Sequence, residues 1–172
     1  IVNLCYWICR PFAIKEALKP FLGSLGYEIK DCGPEKYDPE DDYPDYISPV
    51  AKEVSKHFGA EKGIIIGASG QGEAMVANKF PHVRAAVYYG YGLEQGEQSK
   101  NSAKIEEMQA LTAMRIIELS RLHNDANILS LGAKFMDENE AKAAVKLWLD
   151  TPFSGEGRHK RRLEEMDKLS IK

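Results

Sequence analysis

The stretch from Gly63 to Lys79 constrains the fold of this chain more than any other. It reads GIIIGASGQGEAMVANK. The three consecutive isoleucines predict a strand that is buried on both faces, as in a parallel sheet. The three glycines in the next six residues allow a sharp turn and a close approach of the backbone to a ligand. Residues from Glu73 onward favour a helix, so the stretch predicts a strand, a glycine-rich turn and a helix start.

The glycine-rich turn predicts an anion site made of backbone N–H groups. Glu73 adds a carboxylate in the first turn of the helix, within reach of a ligand that the turn holds. The helix macrodipole alone also favours a glutamate at this position, and the stretch does not separate the two explanations. The glycine spacing matches neither the dinucleotide-binding pattern nor the P-loop pattern.

Length, charge and cysteine content exclude several classes of protein. A chain of 172 residues suits one domain with its own core, and a net charge of -3 argues against a general nucleic-acid or anionic-membrane surface. No apolar run is long enough to span a bilayer. The three cysteines form no C-x-x-C pair, which predicts free thiols and a cytoplasmic location. No set of His, Cys, Asp and Glu has zinc spacing.

Strand and helix patterns alternate along the whole chain. Helices are predicted after Pro11, after Ser48-Pro49, along a long stripe from Ile105 to Leu122, over Ala141–Leu149 and from about Arg158. Strands are predicted at Ile1–Ile8, Tyr27–Cys32, Val83–Tyr89 and Ile128–Leu131, in addition to the isoleucine strand. The alternation predicts an α/β sandwich around a parallel sheet, with ligands at the carboxyl ends of the strands.

Two further segments contain residue types that suit chemistry. His123-Asn124-Asp125-Ala126-Asn127 separates the long helix from the fifth strand, and by chain order we expect it on the same sheet edge as the glycine loop. A histidine there could carry a proton near neutral pH, although a helix end followed by a turn explains an isolated case better. Asp42-Tyr43-Pro44-Asp45-Tyr46 is interpreted as a loop, either stacking on a sugar or simply turning at its proline.

Arg158 and Arg162 are one helical turn apart and therefore share a face. Two guanidinium groups on one face are typical of a phosphate clamp. Lys160 and Arg161 lie between them, so a solvated basic segment explains the pair better when it is considered alone.

Taken together and in order, these segments resemble the type B ribose-5-phosphate isomerases, a family that includes galactose-6-phosphate isomerase subunits. The resemblance runs from about Phe12 to Arg162. It is carried by Gly63–Lys79, Arg84-Ala85-Ala86, Asp42–Tyr46, His123–Asn127, Gly132-Ala133 and Gly157-Arg158-His159.

The resemblance implies a Rossmann-like three-layer α/β/α sandwich around a five-stranded parallel sheet. It implies a homodimer, or a tetramer, in which both subunits contribute to each active site. The implied reaction interconverts an aldose phosphate and a ketose phosphate through a cis-enediolate, without a metal or another cofactor. Ribose 5-phosphate and ribulose 5-phosphate are the leading pair.

The resemblance also implies roles for individual residues. Many members have a cysteine base at the position of Gly67, but a second group uses a glutamate in G-x-S-G-x-G-E, which Ser69–Glu73 matches. By the same resemblance, Glu73 moves the proton between C1 and C2, and Ser69 assists at the oxygens. The N–H groups of Gly70, Gln71 and Gly72 hold the enediolate.

The resemblance gives the other residues roles in substrate binding. His123 opens the sugar ring with Asn124, and Tyr43 packs on the sugar. Arg158 and Arg162 bind the phosphate, and Lys134 replaces another phosphate-binding arginine.

Two departures from the family pattern leave a second hypothesis open. Relatives have Asp-His-Ala-Gly after the first strand, where this chain has Ile8-Cys9-Arg10-Pro11. The loss of both polar groups motivates a sugar-phosphate-binding protein with impaired catalysis as the alternative. The single domain also has an enlarged loop and helix at about 90–114, which could act as a lid, reshape the pocket for another sugar or alter the dimer contact. A flavodoxin-like nucleotide-binding domain fits the fold class but lacks its loop signature.

Overall fold

The computed structural model describes residues 1–6, 11–34, 42–90 and 102–169. The strands are β1 (Val2–Tyr6), β2 (Ile29–Asp31), β3 (Lys62–Gly67), β4 (Ala85–Tyr88) and β5 (Ile128–Gly132). The helices are α1 (Pro11–Ser24), α2 (Tyr43–Lys56), α3 (Gln71–Ala77), α4 (Ser102–Asn124), α5 (Glu138–Asp150) and α6 (Gly157–Leu169).

All five strands are parallel, and their order in the sheet is β2-β1-β3-β5-β4. The central strand β3 carries the isoleucine run, and Ile64, Ile65 and Ile66 are completely buried. This burial is the reason that the run lacks polar alternation, because both faces of the strand pack against helices. Gly67, the last residue of β3, is in register with Gly132 at the end of β5.

Two apolar cores lie on opposite faces of the sheet. One core packs α1, α4 and α5 against the sheet around Trp148. The other packs α2 and α3 against the opposite face, where Val50 and Val54 of α2 lie in the same cluster as Ile65 of β3. The arrangement confirms the predicted Rossmann-like three-layer α/β/α sandwich around a five-stranded parallel sheet.

The beginning of α2 differs from the prediction. The helix begins at Tyr43, with Asp42 as its N-cap residue, and not at Ser48-Pro49. Pro44 fits the first turn because a helix leaves the first N–H groups without an intrahelical acceptor. The interpretation of Asp42–Tyr46 as a loop was therefore wrong, and Tyr43 is a half-buried helical residue.

Two sequence predictions lie outside the described residues. The loop predicted after Gly90 falls on residues 91–101, and the unusual segment after the first strand falls mainly on residues 7–10. Among the helices of the described part of the chain, none combines the length and apolar character needed to cross a membrane.

Candidate functional site

The glycine loop places a buried carboxylate at the carboxyl edge of the sheet. Gly70 has a φ of 74°, in the left-handed region that glycine tolerates, and it turns the chain from β3 into α3. The turn directs the Glu73 side chain back over the end of β3. A Cβ atom at Gly67 would overlap the Glu73 carboxylate, so the absence of a side chain at position 67 creates the space that the carboxylate occupies.

Glu73 is only 5% exposed to solvent. Burial raises the pKa of its carboxyl group above the ordinary value of 4.5, because water no longer stabilises the charged form, and its own backbone N–H partly opposes this shift. A raised pKa suits a group that must both accept and return a proton near neutral pH.

Ser130 fixes the conformation of the glycine loop. Its hydroxyl is fully buried and donates a 2.6 Å hydrogen bond to the Gly70 carbonyl. Within the loop, the Gln71 N–H donates to the Ser69 hydroxyl at 3.4 Å. The sequence analysis missed Ser130, although a lone serine within the apolar strand Ile128–Leu131 was a visible signal of a buried polar contact.

Tyr43 and Lys134 lie beside the same loop. A Cβ atom at Gly72 would be 2.9 Å from the Tyr43 hydroxyl oxygen, so the phenol packs closely on the start of α3. The Lys134 N–H donates to the Ala68 carbonyl at 3.1 Å, and the lysine side chain is exposed. We refer to Tyr43, Ser69, Glu73 and Lys134, with the loop 67–72, as the carboxylate cluster.

His123 lies at the amino-terminal ends of the strands, whereas the glycine loop lies at their carboxyl ends. The expectation that both segments share one end of the sheet was wrong. His123 ends α4 just before β5, so it lies at the amino end of a parallel strand, whereas the glycine loop follows the carboxyl end of β3. The backbone confirms this edge, because the Gly63 N–H at the start of β3 donates to the Asn127 carbonyl. The expectation failed because the segment precedes β5. A segment that precedes a parallel strand lies at the amino end of the sheet.

His123 forms part of a second group with the start of α6. The rings of His123 and His159 have centroids 4.4 Å apart, and Ser154 hydrogen-bonds His159 at 2.8 Å. Burial lowers the pKa of His159, and the nearby His123, Arg158 and Arg162 lower it further against the opposing charge of Glu156. Asn124, Arg158 and Arg162 are exposed around this ring pair. We refer to His123, Asn124, Arg158 and Arg162 as the basic cluster.

The two clusters are separated within one chain. The five residues of β5 span about 15 Å at ~3.3 Å per residue, and the carboxylate and basic clusters lie beyond its opposite ends. The fold thus brings Tyr43, Ser69, Glu73 and Lys134 together, and it brings His123, Asn124, Arg158 and Arg162 together. It does not bring one group to the other.

One group of described residues has ligand atoms arranged as a metal could use them. Glu53, His57 and Glu61 have ligand atoms within 4.8 Å of one another near the carboxyl end of α2. Glu53 is paired with Lys30 and Lys56, and Glu61 accepts a 2.6 Å hydrogen bond from Asn3. These protein partners account for the arrangement, which lies at the opposite edge of the sheet from Glu73.

The fold and the site define an α/β protein whose parallel sheet holds a buried carboxylate beside a glycine-rich loop. The chain belongs to the ribose/galactose isomerase family, whose model matches residues 10–110 and 98–166. It is 29% identical over 153 residues to ribose-5-phosphate isomerase B from Mycobacterium tuberculosis, covering 89% of this chain and 80% of that protein.

Solved structures of family members have the same fold. The structure of ribose-5-phosphate isomerase B from Mycoplasma genitalium, with bound ribulose-5-phosphate, has a TM-score of 0.80 at 27% identity and covers 98% of this chain and 94% of that one. The type B enzyme from Trypanosoma cruzi has a TM-score of 0.77 at 30% identity, with 98% and 95% covered.

Proposed function

We propose that this protein interconverts ribose 5-phosphate and ribulose 5-phosphate by proton transfer through a cis-enediolate. The observation that carries the proposal is the Glu73 carboxylate, buried above Gly67 and beside Ser69 at the carboxyl edge of the sheet. Membership of the ribose/galactose isomerase family supports the same reaction.

Glu73 is the proton-transfer group in this proposal. Its carboxylate takes the proton from C2 of the open-chain aldose and returns it to C1, and the reverse reaction uses the same group. Ser69 assists at the oxygens, and the N–H groups of Gly70, Gln71 and Gly72 stabilise the negative charge of the enediolate. A positioned base contributes a factor of roughly 10²–10⁴ in rate, and an oxyanion donor contributes roughly 10²–10³.

The basic cluster binds and prepares the substrate. Arg158 and Arg162 bind the phosphate, which takes no part in the bond changes but orients the sugar. His123 opens the furanose ring with help from Asn124. Tyr43, which belongs to the carboxylate cluster, packs on the sugar. Arg158 donates to the Glu156 carboxylate at 2.9 Å, so this contact must be exchanged for the phosphate when substrate binds.

The separation of the clusters supports a homodimer with shared active sites. The sheet lies between the carboxylate cluster and the basic cluster of one chain, so one sugar phosphate cannot contact both. A two-fold axis that brings the basic cluster of a second subunit to the glycine loop completes two equivalent sites. The proposed location is cytoplasmic, where thiols such as Cys5 and Cys32 stay reduced.

Isomerisation in deuterated water tests the proposal. The purified protein is incubated with ribose 5-phosphate in D₂O, and ribulose 5-phosphate and its deuterium content at C1 are followed by NMR. We expect ketose formation with solvent deuterium at C1, because the proton that Glu73 takes from C2 exchanges with solvent before it is returned. Tight binding of ribose 5-phosphate without ketose or exchange would instead support the impaired binding protein suggested by Ile8-Cys9.

A further inference from the structure

Two aromatic side chains project next to the glycine loop. Tyr89 follows β4 and Phe135 follows β5, and their rings make an edge-to-face contact with centroids 5.6 Å apart and an interplanar angle of 80°. Tyr89 is 37% exposed and Phe135 is 42% exposed. Neither ring is part of the two apolar cores that the described residues form.

The ring pair lies on the same face of the sheet as Glu73. Gly67 and Gly132 are paired in register on neighbouring parallel strands, so their side-chain positions point to the same face. The Glu73 carboxylate fills the position at Gly67. At Gly132, a Cβ atom would meet Tyr89 Cδ1 at 3.0 Å and Phe135 Cδ2 at 3.2 Å.

The ring pair also adjoins Ser69. The same Cβ atom at Gly132 would lie 2.9 Å from the Ser69 carbonyl oxygen, so the rings and the Ser69 backbone converge on one glycine. Adjacent strands are about 4.8 Å apart, which places the aromatic pair one strand away from the proton-transfer group. A side chain at position 132 would press on both rings and on the Ser69 carbonyl, so the glycine permits their close approach.

This combination of groups is typical of a site for a small polar ligand. Such sites are lined mainly by apolar and aromatic side chains, and a few polar groups fix the orientation of the ligand. The glycine loop, Ser69 and Glu73 supply polar groups for the sugar oxygens. The carbon chain of a sugar carries C–H groups, which pack favourably on aromatic rings.

We propose that Tyr89 and Phe135 form an apolar wall of the active site and bind the carbon chain of the sugar phosphate. The inference rests on the proposed function, because the sugar phosphate is the occupant of the wall. The wall contributes to sugar binding, whereas Arg158, Arg162 and Lys134 contribute to phosphate binding. The two contributions are separable because inorganic phosphate has no carbon chain.

Titration calorimetry tests the wall in the Glu73→Gln background, in which binding is measured without turnover. The variants are Tyr89→Ala and Phe135→Ala, with Tyr89→Phe to retain the ring and Phe58→Ala as the control. Phe58 is also exposed, at 53%, but it stacks on His82 near the amino edge of the sheet. The two ligands are ribose 5-phosphate and inorganic phosphate.

We expect each alanine variant of the wall to raise the Kd of ribose 5-phosphate roughly five- to thirty-fold, as one or two lost aromatic contacts do. The Kd of inorganic phosphate should stay unchanged, and Tyr89→Phe and Phe58→Ala should bind both ligands like the parent. An unchanged Kd for ribose 5-phosphate would overturn the inference. An equal loss of phosphate affinity would also overturn it, because the rings would then only support the site.

The failure of the proposed function gives a different result. If the wild-type protein does not isomerise ribose 5-phosphate but the ring-dependent affinity is present, the proposed reaction is wrong and the wall is still supported. If the parent does not bind ribose 5-phosphate, the wall has no sugar to contact and the inference is wrong.

Discussion

At the scale of single residues, Gly67 and Glu73 act as one unit, since the carboxylate occupies the side-chain space of the glycine. Gly67→Ala should therefore displace the carboxylate without unfolding the protein, because the overlapping atoms belong to the end of a flexible side chain. We expect a fall in kcat of roughly 10²–10⁴, the value of a positioned base. Steady-state kinetics with ribose 5-phosphate measures it.

A double variant separates this explanation from general damage to the site. Glu73→Gln should lower kcat as much as Gly67→Ala, and the two changes combined should cost no more than either alone, since both remove the same interaction. Glu61→Gln alters another buried glutamate, at the opposite edge of the sheet, and should leave kcat unchanged. Full activity of Gly67→Ala would show that the carboxylate does not need this position.

The raised pKa of Glu73 also makes a prediction about stability. Burial penalises the carboxylate in the folded state and not in the unfolded state, so the folded-state pKa lies above the ordinary 4.5. The free energy of unfolding therefore decreases as the pH rises from 4.5 through the raised pKa, and the decrease is complete above that pKa. Below pH 4.5 the group is neutral in both states and the penalty is absent.

Glu73→Gln should accordingly change Tm in a pH-dependent way. The difference in Tm between the variant and the wild type should increase as the pH is raised from about 4 to 7, because the variant lacks the penalised charge. Thermal unfolding followed by circular dichroism across this range measures the difference. A difference that decreases with pH would mean that the folded protein stabilises the carboxylate.

At the scale of secondary-structure elements, Arg84 connects β4, the segment before β5 and α6. Its side chain is 9% exposed, donates to Asp125 at 3.1 Å and to Asp167 at 3.3 Å, and also donates to the Asp125 carbonyl. Arg84→Ala removes these contacts, but Asp125 keeps its ion pair with Arg121 and Asp167 keeps His82 nearby. We expect the variant to lower the free energy of unfolding by about 1.5–3 kcal/mol, the value of hydrogen bonds to charged groups.

Urea unfolding measures this loss, with an exposed ion pair as the control. Arg115 pairs with Glu118 at 2.9 Å, but 58% of its side chain is exposed. Arg115→Ala should change the free energy of unfolding by less than about 1 kcal/mol. Similar losses in the two variants would contradict a special role for Arg84 in positioning α6.

The elements themselves were largely predictable from the sequence, and their placement was less so. The isoleucine run and the alternating patterns predicted five parallel strands, because burial on both faces leaves a clear apolar signal. The predicted start of α2 was wrong, because Asp42-Tyr43-Pro44 favours a helix start as strongly as Ser48-Pro49 does. The overlap of Glu73 with the space above Gly67 was not predictable, because it depends on a positive φ at Gly70.

At the scale of the whole molecule, only the tertiary structure shows which of the site residues lie close together. The sequence supplied the members of both clusters, and the resemblance to the family supplied the roles that we propose for them. The strand order and direction then separated His123 from Glu73, which no local pattern indicates. The wall of Tyr89 and Phe135 was likewise not visible in the sequence, because the two residues are brought together by the pairing of β4 with β5.

Subunit complementation tests the shared site most directly. The Glu73→Gln and Arg158→Ala proteins are unfolded separately, mixed in equal amounts and refolded together. Mixed dimers contain one site with both substitutions and one site with neither, so the mixture should recover about a quarter of the wild-type rate with ribose 5-phosphate. Native mass spectrometry verifies that the mixture contains mixed dimers. If it does, a rate equal to the mean of the two separate variants would contradict an active site that joins the carboxylate cluster of one subunit to the basic cluster of the other.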